Sequence, residues 1–170
     1  MTVSTDPAEI VRAVCDGVSL LVSGNLDQAQ REAQLDRLAA LYAERTDVRH
    51  PLATSGLPLR TRADVRRHFA QAPTRADGIE RFEPVGLHVH RTGDPEVVIT
   101  EFRYEGSAGG RPVSIQNIFV TRVRDGVIIE SRDYADHIGA ARAFGHLPAL
   151  AAALAADSVG HARSGVEPPR

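Results

Sequence analysis

One change of hydrophobic period divides this chain. Up to about residue 71 the apolar side chains recur at three- and four-residue spacing, as a helix lying on a core requires; from Ile79 to Tyr134 they alternate, as a half-buried strand requires. Ile10, Val11, Val14, Val18, Leu21 and Val22 form the first helical stripe, entered through Thr5-Asp6-Pro7-Ala8-Glu9, which supplies a cap, an early proline and an acid in the first turn. Gly24-Asn25 ends it. A second helix is expected over 26–44, with Leu35, Leu38, Leu41 and Tyr42 on one stripe and its charges between them. Asp47-Val48-Arg49-His50-Pro51 reads as a short strand stopped by its proline, followed by a loop around Ser55-Gly56-Leu57-Pro58. A short third helix then has Thr61 as its cap, Asp64 three residues on, and Val65, His68 and Phe69 turned inward.

The alternating region splits into strands over 79–91, 96–107, 112–124 and 127–134, separated by Thr92-Gly93-Asp94-Pro95, Ala108-Gly109-Gly110 and Asp125-Gly126. The last pair is a strong hairpin signal, because Asp-Gly accepts the positive φ of a tight turn. Helical spacing returns at Ile138, Ala141 and Phe144, and Pro148 opens an alanine-rich helix to about Ala156. Helices first and a strand meander second give an α+β fold, with N-terminal helices packed on one face of a curved antiparallel sheet. A single domain over 1–156 is expected. The tail 157–170, with glycine, serine and a Pro-Pro pair but little apolar content, is expected to be disordered. A sheet bent over helices leaves a conical cavity, which is where a ligand would sit.

Composition narrows the function. A formal charge of -2 leaves no electrostatic footprint for nucleic acid or an anionic membrane. The chain opens without a basic segment leading into a long apolar stretch, and no run approaches the roughly 18 apolar residues of a membrane span. A cytoplasmic protein is therefore the expectation. The single cysteine, Cys15, sits in the first apolar stripe and allows neither a disulfide framework nor a thiolate zinc site. His88 and His90 share a strand face, but no third ligand joins them at a convincing spacing, so no metal is expected. His137 and His146 flank the helix after residue 133 and are expected to cap it or face solvent. Gly106-Ser107-Ala108-Gly109-Gly110 lies between strands and not before a helix, so it fails the context of a phosphate loop, and no cofactor is expected.

Alternation sorts the polar residues into faces without saying which face is inside. Ile99, Glu101 and Arg103 share one; Ile115, Asn117 and Phe119 share one on the next strand; Ser131 and Asp133 share one on the last. On alternation alone Glu101 and Arg103 read first as a solvated ion pair, and Asn117 as a residue bonded within the sheet. Asp133 stands apart because it closes the last strand among apolar neighbours, where desolvation disfavours its charged form and suits it to carry a proton. His50, before Pro51, is placed to reach the pocket mouth, and Tyr42 is counted with it among the ligand-binding residues; were the acid merely structural, it would hydrogen-bond backbone or Tyr42.

The stretches Gly110-Arg111-Pro112-Val113, Val123-Arg124-Asp125-Gly126-Val127-Ile128 and Ser131-Arg132-Asp133-Tyr134-Ala135-Asp136 resemble the C-terminal half of SnoaL-like proteins and of limonene epoxide hydrolase, in the nuclear transport factor 2 superfamily. Looser similarity extends over residues 8–156. The resemblance implies a cone-shaped, cystatin-like α+β barrel, a homodimer packed through the convex sheet face, and a pocket between sheet and helices. In that register Asp133, Ser131 and Ile129 point inward with Asn117, Ile115 and Phe119, and with Ile99, Glu101 and Arg103. The hydrolases resembled here use an Asp-Arg-Asp set: Asp133 matches the last acid and Glu101 lies near the first, while Ile99 stands where the arginine is expected and Arg103 follows on the same face, two residues after Glu101. The expectation is a cofactor-independent enzyme acting on a small apolar carbonyl, polyketide or epoxide compound. Asp133 would be its acid/base, Arg103 or Asn117 would stabilise a developing oxyanion, and Glu101 would orient Arg103. The alternative is a non-catalytic ligand-binding or structural member of the same fold.

Overall fold

The computed structural model describes residues 4–53 and 57–162. Helix α1 (Pro7–Ser23) begins where Asp6 accepts from the Ala8 amide at 3.1 Å, and α2 (Gln28–Ala40) begins in a reciprocal capping box between Asp27 and Gln30. The chain then turns extended as β1 (Tyr42–Arg49), earlier than the helical stripe through Tyr42 predicts. Leu41 caps α2, and Tyr42 leaves the helix to pair with Ile128 on the sheet. Strand β2 (Leu59–Thr61), which was not expected, follows the loop and pairs with β1, while residues 54–56 of that loop fall outside the described residues. Helix α3 (Arg62–Ala70) has the predicted Thr61–Asp64 capping box. A single 3-10 turn at Arg75–Asp77 leads into β3 (Ile79–Arg91), β4 (Val97–Ala108), β5 (Arg111–Arg124) and β6 (Val127–Ala135). Helix α4 (His137–Ala143) follows, and α5 (Leu147–Ala162) runs past the residue at which the alanine-rich helix was expected to stop; residues 163–170 of the expected tail lie outside the described residues.

The strands form one open six-stranded sheet in the order β2-β1-β6-β5-β4-β3. Every pairing is antiparallel except β1 with β6, which is parallel because β1 arrives from the helices and not through a hairpin. Strand β5 turns into β6 at Asp125-Gly126, both with positive φ (51° and 77°), as the sequence signal requires. Helix α1 lies on the inner face, where Val11, Cys15 and Val22 meet Phe82, Val98, Phe102 and Ile115. On the other flank Ile10 and Val14 meet Tyr42, Val48, Val65 and Ile128. Each fully buried side chain of this kind contributes about 2 kcal/mol. Helix α2 closes the layer through Leu35 and Leu38, both under 3% exposed.

Candidate functional site

Ladder register decides which side chains face inward. Phe102 pairs with Asn117, and Phe119 pairs with Asp133. Cross-strand partners share a face, so the inner set is Thr100, Phe102 and Tyr104 on β4, Ile115, Asn117 and Phe119 on β5, and Ser131 and Asp133 on β6. Glu101, Arg103 and Ile99 are therefore on the outer face, contrary to the expected register. Glu101 is 58% exposed and bonds His90 at 2.8 Å; Arg103 pairs with Glu105 on its own strand; Ile99 lies across from His90 and Val120. A one-residue change of parity moves a whole strand face, and here it separates the acid and arginine of the expected trio from Asp133. A second register shift, between Arg122 and Val123, turns Ile128 inward at 2% exposure in place of Ile129.

Asp133 is buried, its side chain 13% exposed. Its Oδ1 accepts from the Ser131 hydroxyl at 2.5 Å, and its Oδ2 lies 3.9 Å from Nε2 of His50, beyond hydrogen-bond reach. Burial raises the carboxyl from its usual 3.8 to about 6, against the opposing pull of the Ser131 hydrogen bond and the Arg132 charge. Burial also lowers His50 to about 4, helped by the nearby His68 and His137. At neutral pH the contact is thus between a carboxylate and an uncharged imidazole, and it is not an ion pair. Tyr42 is buried and remains a phenol: burial, then the Asp133 charge, push its ionisation well above the usual range.

His50 follows the end of β1, where the parallel pairing of β1 with β6 brings the chain beside Asp133. Its ring lies tilted by 30° against that of His68, with centroids 4.8 Å apart, and α3 presents His68 together with Asp64 and Gln71. These three recur at helical spacing, a signal of a common face available in the sequence. The two histidines form part of the wall of a cleft of about 1170 Å3, completed by His137 and Phe144 around α4, by Leu150 of α5 and by Leu59. His146 is exposed at the rim, as expected, and its carbonyl accepts from the Leu150 amide at the start of α5, whereas His137 is half-buried in the wall with one ring nitrogen that has no partner among the described residues. Asp133 lies behind His50 and not in the open wall. Of the other expected binding residues, Asn117 is buried and donates to the Ile115 carbonyl at 2.9 Å, while Ile115 belongs to the aromatic core around Phe102 and Tyr104. Phe119 packs edge-on against Phe102 with ring centroids 5.0 Å apart. Among the described residues no three His, Cys, Asp or Glu side chains are grouped to hold a metal ion, and no helix is long and apolar enough to cross a membrane.

A family model for the SnoaL-like domain matches residues 25–131, well over half of the chain and ending two residues before Asp133. Comparison with curated proteins gives no match. Among solved structures, a Bacillus subtilis protein provisionally named an isomerase is similar at 21% identity and a TM-score of 0.67, over 86% of this chain and 97% of that one. A Xanthomonas campestris protein provisionally named a polyketide cyclase is similar at 16% identity and a TM-score of 0.58, over 83% and 99%. A Catenulispora acidiphila protein with a ketosteroid isomerase-like fold, solved in complex with trimethylamine, is similar at 22% identity and a TM-score of 0.56, over 83% and 95%. At these identities the likeness is one of fold.

Proposed function

Because the chain belongs to the SnoaL-like family, we propose that its cleft takes a small apolar carbonyl compound and that Asp133 moves a proton on it, as a cyclase or isomerase does. The observation that carries this reading is the buried pair behind the His50 wall of the cleft. There a buried carboxyl with its proton affinity raised to about 6 stands 3.9 Å from an uncharged imidazole. A general base is most effective when its conjugate acid titrates near the working pH, and a carboxyl at this value takes a proton from a carbon acid and returns it at another position. His50 lines the cleft and stands 3.9 Å from the carboxyl, so it is the group that meets the ligand oxygen and passes the proton between ligand and Asp133, and Tyr42 keeps a phenolic proton nearby. This chemistry needs no cofactor. Epoxide opening by an acid–arginine–acid set is not part of the proposal, since Glu101 and Arg103 are on the outer face. We also propose that two copies pair through that outer face.

The test is solvent deuterium exchange into a panel of enolisable ketones and β-keto esters. The wild type should label at least one of them. Asp133→Asn should lose about 100-fold or more of that rate while still binding the compound in calorimetry. Undiminished labelling by the variant would sink the assignment. A second reading, a ligand carrier without turnover, is favoured by the position of Asp133 behind His50, outside the open wall of the cleft. It predicts binding by both proteins and labelling by neither.

A further inference from the structure

The two oxygens of Asp133 are held differently. Oδ2 faces His50, while Oδ1 accepts from Ser131, two residues back on the same face of β6. Ser131 has a single hydroxyl proton, and the bond to the carboxylate uses it. Thr121 Oγ1 lies 3.3 Å from Ser131 Oγ, so in that contact Thr121 is the donor. Thr121 and Ser131 are cross-strand partners on β5 and β6, exposed by 2% and 3%. Their hydroxyls thus form a directed row, Thr121 to Ser131 to Asp133, inside the sheet and away from the cleft. Packing alone does not require such a row, because apolar side chains of the same shape would fill the space without needing partners.

We propose that Thr121 and Ser131 are positioning residues, a hydroxyl relay that clamps Oδ1 and leaves Oδ2, on the His50 side, as the oxygen that exchanges a proton. The proposal rests on the reading of Asp133 as the acid/base and reassigns Ser131 from ligand contact to support. Donation to the ionised carboxyl favours its charged form, so the relay works against the desolvation that raises it. The other titratable groups around Asp133 are His50 and Tyr42 from the β1 side, Cys15 on α1, Tyr104 on β4 and Arg132 beside it on β6. All of them remain in the variants that test the relay.

The experiment follows the carboxyl carbon of Asp133 by NMR against pH in the ligand-free protein, with Asp133→Asn to assign the signal. Ser131→Ala should move the midpoint upward from about 6 by about one pH unit, and Thr121→Val should move it upward by less. A midpoint unchanged or lowered in Ser131→Ala overturns the clamp; one unchanged in Thr121→Val overturns the relay by removing its first member. No substrate is involved, so this outcome is independent of the labelling test. Asp133→Asn can fail to abolish exchange while the relay still sets the titration, and the reverse can also hold.

Discussion

Burial shifts Asp133 and His50 in opposite directions, and the pair has a consequence for stability. The folded carboxyl holds its proton up to about 6 against a usual 3.8, so its stabilising contribution is complete below 3.8 and is lost as pH rises through 6. His50, lowered from 6.5 to about 4, contributes stability that is complete above 6.5 and is lost as pH falls through 4. Each interval amounts to about 3 kcal/mol, less for His50 because part of its ring meets solvent, so the two largely offset across the acid range. Asparagine at 133 removes one of the two. The difference in unfolding free energy between Asp133→Asn and wild type should then be near zero at pH 4 and favour the variant by about 2 kcal/mol at pH 7. Urea titrations at several pH values measure it, and the groups common to both proteins cancel. A difference that stays constant with pH would show that Asp133 is not held in an apolar setting.

At the scale of elements, the four strands of the meander were legible in the sequence to within a residue or so, because period-two alternation and Asp125-Gly126 are local signals, whereas β1 begins five residues before the expected strand and β2 was not expected. The end of α2 was not legible, since Leu41-Tyr42 fits a helical stripe and only tertiary pairing with Ile128 draws Tyr42 into a strand. The inner face of β4 was not legible either. Both of its faces carry apolar residues, and the choice depends on which residue of β5 stands opposite. A close backbone approach does constrain how β4 meets β3, at Gly106. A Cβ there would lie 1.7 Å from the carbonyl oxygen of Arg81, which is backbone and cannot rotate away. Gly106→Ala should therefore separate the β3–β4 pair locally and lower unfolding stability by about 3 kcal/mol. Thermal unfolding tests this, with alanine at exposed Gly93, which meets nothing within 4 Å, as the control expected to change little. Equal effects at the two positions would remove the close approach as the cause.

The whole molecule has two differently used sheet faces. The inner one holds α1, the aromatic core and the buried acid, and its cleft joins β1, α3, α4 and α5, segments so far apart in the chain that their histidines could not be grouped from spacing alone. The outer one carries mostly charged pairs, among them Glu101–His90 and Arg132–Asp47, yet at its centre Ile118 and Tyr134 are cross-strand partners exposed by 44% and 38%. Leu52, 60% exposed, lines the same depression beside Arg103 and Glu101. An apolar pair on interior strands with charges around it has the make-up of a self-complementary contact, in which each copy offers the same patch to the other about a two-fold axis. Under the proposed pairing the wild type should scatter light as twice its 18.3 kDa mass, and Ile118→Lys, which sets two like charges near the axis, should run at the single mass. Ile118 points away from Asp133, so the variant should keep the wild-type circular dichroism and the carboxyl midpoint near 6, which separates loss of pairing from loss of fold. A wild type at the single mass would overturn the pairing, and a variant still at twice the mass would move the contact to another face.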